Sequence, residues 1–317
     1  MILHLPLLER IVEEVRAHRP VALCAVVKTH GSTPQSPGAL MIVDHAMQTT
    51  GTVGGGRVEA EVCRQASALL QAGTPGLLDL RLDHDSGLDD GLICGGGMDI
   101  AVMPIADAAA VEPFARAAED IRAGRTATIE LRVEKDGRPV AYQVFVEREP
   151  TLLIAGAGHV GTELARLCVR LEFRVVVVDD RADFADAERL PPPIEPIAGD
   201  IEKTLRDFPI DPATYVVIVT RGHRHDELAL AAVIDSDAGY LGLIGSRRKI
   251  KLIRDNLLAA GVDPRRLDRV HAPIGLPIHA VTVPEIAVSI AAQLVEVRRA
   301  DRPKTVTGPI PLAAEGS

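Results

Sequence analysis

The sequence predicts an α/β protein: an N-terminal α/β domain followed by a C-terminal doubly wound parallel-sheet domain. Three observations predict it. The run Leu152-Leu153-Ile154-Ala155-Gly156-Ala157-Gly158-His159-Val160-Gly161 reads as an apolar strand, a glycine turn and a helix start, and the next apolar run, Arg174 to Val178, ends in Asp179-Asp180. Tyr215 to Thr220 and Tyr240 to Ile244 are further unbroken apolar runs, the pattern of strands buried on both faces. Ahead of these, three loops of small residues punctuate a first half that alternates strand-like and helix-like stretches.

The glycine turn carries the most specific chemistry. In a Rossmann-like unit Gly156 permits the tight turn and Gly158 lets the backbone approach a phosphate. Gly161 lets helix and strand pack closely, and the helix N-terminus favours the anion. Asp179 follows at about the ~20 residues where such a unit places an acid for a ribose hydroxyl.

A length of 317 residues accommodates two domains, with 1–149 as the N-terminal domain, 150–300 as the Rossmann-like domain and 301–317 as a disordered tail. Hydrophobic residues at 47% and charged ones at 25% describe a globular chain. A net charge of −9 without a basic block argues against duplex nucleic acid, and 3% aromatics without tryptophan argues against base-stacking platforms. No apolar stretch reaches the ~18 residues of a membrane span or forms a signal-peptide core, so a cytoplasmic location without membrane contact is expected. Cys24, Cys63, Cys94 and Cys168 lack C-x-x-C spacing and suggest neither a disulfide framework nor a structural zinc site.

In chain order, Pro6 to His18 carries apolar residues at helical spacing, and Val21 to Val27 is a strand. The loop Lys28 to Gly38 holds Ser32 and Thr33 between glycine and prolines, a setting suited to an oxyanion or polar heterocycle. A strand from Ala39 to Val43 precedes the second small-residue loop, Gly51 to Gly56, which opens a helix from Val58 to Gln71. Gly54, Gly55 and Gly56 there would expose amides to an anion. Leu77 to Leu82 is a strand. The third loop, Ile93-Cys94-Gly95-Gly96-Gly97, precedes the strand Met98 to Ile105, and the glycines leave the Cys94 thiol open to a ligand. Three such loops exceed what connections require, and they are expected to converge on one site. A helix from Ala108 to Ala123 and a hairpin turning at Asp136-Gly137 complete the first domain.

In the second domain Ile201 to Phe208 is helical. The strand Tyr215 to Thr220 would lie beside the first strand in a 3-2-1-4 order, bringing His159, His223 and His225 to one crevice, where histidines bind phosphate, position a ring or ligate a metal. Ser246 is the N-cap of the next helix, and Arg247, Arg248 and Lys249 in its first turn oppose the helix dipole unless an anion is present, so they read as a second phosphate contact. A final helix spans Val283 to Arg299.

Together, Gly31-Ser32-Thr33-Pro34, Gly51-Thr52-Val53-Gly54-Gly55-Gly56, Cys94-Gly95-Gly96, Gly156-Ala157-Gly158-His159-Val160, Thr220-Arg221-Gly222-His223, Ile244-Gly245-Ser246-Arg247-Arg248-Lys249 and Pro273-Ile274-Gly275-Leu276 resemble the motifs of the xanthine dehydrogenase accessory protein family, XdhC/CoxI. Gln35 departs from the arginine that relatives often carry there. The resemblance implies a non-catalytic factor that binds molybdenum cofactor, protects its sulfurated form and delivers it to apo xanthine dehydrogenase or a related molybdenum hydroxylase. A cysteine desulfurase is implied as a further partner, and a homodimer is expected. Under this reading Gly156, Gly158, His159, Gly161, Asp179, His223, Ser246, Arg247, Arg248 and Lys249 hold the pterin and its phosphate. Ser32, Thr33, Gly54, Gly55 and Gly56 line the first-domain side, and Cys94 is the molybdenum contact. Asp179 leaves a second reading open, an NAD(P)-dependent oxidoreductase, and the three histidines a third, a metal-dependent hydrolase.

Overall fold

The computed structural model describes residues 4–81, 96–300 and 305–312. The chain divides into two compact units, Met1–Arg148 with Pro303–Ser317, and Glu149–Arg302.

The first unit is built on a strand apolar throughout. After helix α1 (His4–Arg16), strand β1 (Val21–His30) is buried on both faces over its first seven residues. Val21, Leu23, Ala25 and Val27 enter one core, and Ala22, Cys24 and Val26 enter another. That alternation is the period-two geometry of a strand sandwiched between two layers. Next come β2 (Leu40–Asp44), β3 (Thr49–Gly51), helix α2 (Gly56–Ala72), β4 (Gly76–Arg81) and β5 (Gly97–Ile105), giving an antiparallel sheet ordered β3-β2-β1-β5-β4. α2 buries Val58, Val62, Cys63 and Ala66 on one face and ends at Gly73, left-handed with φ 63°, a conformation glycine adopts without penalty. α1 and helix α3 (Ala108–Arg122) share the other core, α3 being capped by Asp107, whose Oδ1 accepts from Ala109 N and Ala110 N, both at 2.9 Å. The hairpin β6 (Ala127–Lys135) and β7 (Arg138–Val146) turns at Asp136 and Gly137, with φ 51° and 72°, the two positive values of a type I′ turn.

The second unit is the doubly wound sheet. Its elements are β8 (Thr151–Ala155), α4 (His159–Arg170), β9 (Arg174–Asp179), β10 (Glu195–Ala198), α5 (Ile201–Asp207), β11 (Thr214–Ile218), α6 (His223–Val233), β12 (Tyr240–Leu243), α7 (Arg247–Ala259), α8 (Pro264–Leu267), β13 (Val270–His271) and α9 (Val283–Ala300). All six strands pair in parallel in the order β10-β9-β8-β11-β12-β13. α4 and α9 cover one face, and α5, α6 and α7 cover the other. The strand order therefore reverses between β8 and β11, where doubly wound folds bind ligands beyond the strands' carboxyl ends.

The stretch beyond Asp301 departs from expectation. Instead of a disordered tail, Val306–Pro311 forms β14, which returns to the first unit and pairs antiparallel with β7, giving a three-stranded sheet ordered β14-β7-β6. Gly308 and Pro309 break the alternation that marks a strand, and the register shifts between Thr307 and Ile310. An edge strand tolerates both because it is paired on one side only. Among the described residues, no helix is long and apolar enough to cross a membrane.

Candidate cofactor-binding site

The site in the second unit is assembled by backbone first. Gly156 has φ 114°, and a Cβ there would stand 2.6 Å from the Val219 carbonyl oxygen, so the glycine lets the turn press against the loop leaving β11. Gly161 has the tighter demand, since a Cβ would meet the Gly156 carbonyl oxygen at 1.9 Å. Gly158, the N-cap of α4, and Gly222, the N-cap of α6, have nothing within 4 Å of a built Cβ. The structure thus separates the glycines: Gly156 and Gly161 are demanded by packing, whereas Gly158 and Gly222 front open space at two helix starts. His159 and His223, first residues of α4 and α6, are exposed, as is His225.

Asp179 is placed at the turn but is committed within it. Its Oδ2 accepts from Ala157 N at 2.8 Å and from Arg181 Nη2 at 2.9 Å, and its Oδ1 accepts from Arg181 N at 3.0 Å and Nε at 2.8 Å. The residue is 2% exposed. Burial by itself would raise the carboxyl, but the Arg181 guanidinium and the Ala157 and Arg181 N–H groups outweigh it and hold the group at about 2. The Arg181 guanidinium also lies 3.5 Å over the Phe184 ring, with Arg189 over the same ring at 4.2 Å. Arg189 then helps line a cleft of about 360 Å³ beside α4, with His159, Thr162, Glu163, Arg166, Val283 and Pro284.

The basic triplet at the start of α7 is divided. Ser246 caps the helix, its Oγ accepting from Lys249 N at 3.3 Å, and Arg247 and Arg248 are exposed. Lys249 is turned inward and pairs with Asp226, which is fully buried and whose Oδ1 accepts from Thr220 Oγ1 at 2.6 Å. Helical phase separates them, because Lys249 lies two residues beyond Arg247 and faces the neighbouring helix.

In the first unit the first small-residue loop lies against the second and against Gly96, which is at the described end of the third. A Cβ on Gly54 would stand 2.7 Å from Pro34 Cγ, and one on Gly96 would stand 2.2 Å from the Ser32 carbonyl oxygen. Thr33 Oγ1 donates to the Gln35 carbonyl at 2.9 Å, and Ser32 is exposed. The amides at the start of α2 already have an anion. Glu59 Oε1 accepts from Val53 N at 3.2 Å, from Gly55 N at 3.0 Å and from the Thr52 hydroxyl. A Cβ on Gly55 or Gly56 would meet nothing within 4 Å. Cys94 lies outside the described residues. Cys24, Cys63 and Cys168 are buried, and burial pushes their thiols up, that of Cys168 to about 12. Among the described residues no group of three His, Cys, Asp or Glu side chains is placed to hold a metal ion, so His159, His223 and His225 do not form the ligand set of a hydrolase.

Sequence reasoning missed Glu59, Arg181 and Asp226. Asp226 had a legible signal, an acid in the first turn of a helix beginning at the same sheet edge as a lysine-bearing one. Glu59 lies on the helix that the glycine loop opens, and reads equally well as a solvated residue.

Known proteins resemble this chain along both units. Residues 152–294 match the model of the XdhC Rossmann domain, and residues 14–81 match that of the XdhC and CoxI family. The uncharacterized protein YqeB of Escherichia coli is 29% identical over 280 residues, 88% of this chain and 44% of YqeB, so the chain spans less than half the length of that relative. A Bacillus subtilis protein described as a probable xanthine dehydrogenase subunit is 24% identical, over 87% of this chain and 93% of its own length. The molybdenum cofactor insertion chaperone PaoD of Escherichia coli is 24% identical, over 93% and 89%. A crystal structure described as a xanthine dehydrogenase from Bacillus halodurans has the same fold, with a TM-score of 0.81, 21% identity, and 94% of this chain and 96% of that one covered.

Proposed function

This chain belongs to the XdhC and CoxI family, and from that premise we propose that it is a molybdenum cofactor chaperone. It takes up the cofactor in the crevice between β8 and β11 and hands it to apo xanthine dehydrogenase or a related molybdenum hydroxylase, without itself catalysing a reaction. The observation that carries the choice over a nicotinamide enzyme is the state of Asp179. A dinucleotide ribose needs a free carboxylate at that place, and here both oxygens are engaged by Ala157 and Arg181. What the turn still offers is what a phosphate accepts: the backbone amides at the start of α4 beside the open Gly158, and the cations Arg247, Arg248 and Lys249. The pterin phosphate is held there, with His159 and His223 at the rim.

The same reading assigns Cys94 to the molybdenum, as a soft ligand suited to a dithiolene-bound metal, and assigns Ser32, Thr33 and the Gly54–Gly56 loop to cofactor binding. It includes protection of the sulfurated form, a cysteine desulfurase as a further partner, a homodimer and a cytoplasmic location. The names of the relatives support the coarse role, since one is called a molybdenum cofactor insertion chaperone and another is described as part of a probable xanthine dehydrogenase.

Anaerobic equilibrium binding to molybdenum cofactor, NAD and NADP tests the proposal. The expected result is tight cofactor binding, transfer that restores activity to an apo molybdenum hydroxylase, and reduced retention in Cys94→Ala. Saturable nicotinamide binding with no cofactor binding would overturn it.

A further inference from the structure

Asp226 is a buried ionisable group outside the contacts assigned to the cofactor. It sits fully buried in the first turn of α6, where a carboxylate without partners would be strongly unfavourable. Its two oxygens are spent on opposite sides. Oδ1 accepts from the Thr220 hydroxyl, in the loop leaving β11 at the strand-order reversal, and Oδ2 pairs with Lys249 Nζ in the first turn of α7. The Lys249 side chain stays 23% exposed. A second feature makes room for it: a Cβ on Gly245 would stand 3.0 Å from Lys249 Cδ, so glycine there leaves space for the lysine stem.

An ammonium carries three donors, and one carboxylate oxygen leaves two of them for another acceptor. A lysine free in solvent would swing through many rotamers, and fixing it costs entropy at the moment of binding. Asp226 removes that cost by fixing it beforehand. A neutral side chain at 226 would satisfy the Thr220 hydroxyl equally well, but it would give Lys249 no reason to turn inward from the first turn of a helix whose dipole repels it.

We propose that Asp226 is a positioning residue: anchored by the Thr220 hydroxyl, which donates to it, it fixes the Lys249 ammonium at the rim of the β8–β11 crevice as a preset donor for a ligand phosphate. The inference rests on the reading of that crevice as the phosphate end of the cofactor site. It adds the residue that makes Lys249, rather than the exposed Arg247 and Arg248, the ordered contact.

The test is calorimetric titration of the full chain with inorganic pyrophosphate and, separately, with molybdopterin, on wild type, Asp226→Asn, Lys249→Met and the double variant, with Tm recorded for each. Loss of one charge-assisted contact lowers affinity by about tenfold. Both single variants are therefore expected to bind pyrophosphate about tenfold more weakly, and the double variant no more weakly than Lys249→Met alone. The double variant is also expected to regain most of the Tm that Lys249→Met loses, since that single variant leaves the buried Asp226 carboxylate without its cation and the double variant does not. Wild-type affinity in Asp226→Asn, or in a well-folded double variant, would reduce the pair to a structural tie and overturn the proposal. Losses that multiply in the double variant would also overturn it, because Asp226 would not be acting through Lys249. Wild type that binds pyrophosphate with this pattern but not molybdopterin would support the positioning role while sinking the cofactor reading. Wild type that binds neither would overturn both.

Discussion

Asp179→Asn isolates the charge at the glycine turn while keeping the size of the side chain. In the wild type the carboxylate accepts from Ala157 N and from three nitrogens of Arg181, and it is held at about 2. An aspartate held there rather than at its ordinary ~3.9 contributes roughly 2.5 kcal/mol at neutral pH. Because the folded value lies below the unfolded one, that contribution is present in full above the unfolded value and is lost as pH falls toward the folded one. It is essentially complete at pH 5, about half remains at pH 3, and little is left at pH 2. Asparagine has no charge to titrate and turns an N–H toward donors, so its deficit against wild type is expected to be about 2–3 kcal/mol at pH 7 and to shrink by about 1 kcal/mol between pH 5 and pH 3. Urea unfolding followed by far-UV circular dichroism at pH 7, 5 and 3 measures it on both proteins. A gap that stays constant with pH, or one below about 0.5 kcal/mol at pH 7, would refute the reasoning, for the carboxylate would then be exchanging protein donors for water at no gain.

Three further outcomes follow from the geometry. Gly161→Ala forces a Cβ to 1.9 Å from the Gly156 carbonyl oxygen, which should cost about 2–3 kcal/mol by overpacking and displace the glycine turn; a Tm within a degree of wild type would contradict it. Glu59→Ala leaves the Val53 and Gly55 amides without their acceptor, for a loss of about 1–3 kcal/mol and faster hydrogen exchange at those amides, while Glu59→Gln, which keeps the acceptor, should lose less. Cys24, Cys63 and Cys168 are buried with raised thiols, so iodoacetamide at pH 8 should label none of the three in the native protein and all of them in urea, as read by peptide mass spectrometry.

The parts of the fold that the sequence disclosed are those dictated by backbone covalent limits and by continuous apolar runs. The Gly156-x-Gly158-x-x-Gly161 turn could be read because L side chains are excluded at two of its positions, and β8, β9, β11 and β12 could be read because strands buried on both faces admit few polar residues. The Asp136-Gly137 hairpin was legible for the same reason. The strands β10, β13 and β14 were not, because each is short and sits at or near a sheet edge, so that its partner rather than its own pattern supplies the stabilisation. In the site, the residue types were legible but their commitments were not. Asp179, Glu59 and Lys249 all have the chemistry of ligand contacts, and which of them the chain keeps for itself depends on Arg181, on the Val53 and Gly55 amides and on Asp226, groups whose approach is set by the folded backbone.

The return of the chain to β7 through β14 has a consequence for the order in which the molecule can be made. The second unit is contiguous in sequence, so everything it needs has been synthesised by the time Arg302 is added. The first unit must wait: β7 keeps an unpaired edge while the entire second unit is translated, an interval of roughly ten to thirty seconds at ordinary elongation rates. Through that interval the row Val140, Ala141, Gln143 and Val144, which later faces Pro311, Ile310, Thr307 and Val306, is open to any strand that reaches it. Gly308 and Pro309 make the arriving segment a poor partner for other sheets, so the last strand to appear is also one with little capacity to go astray.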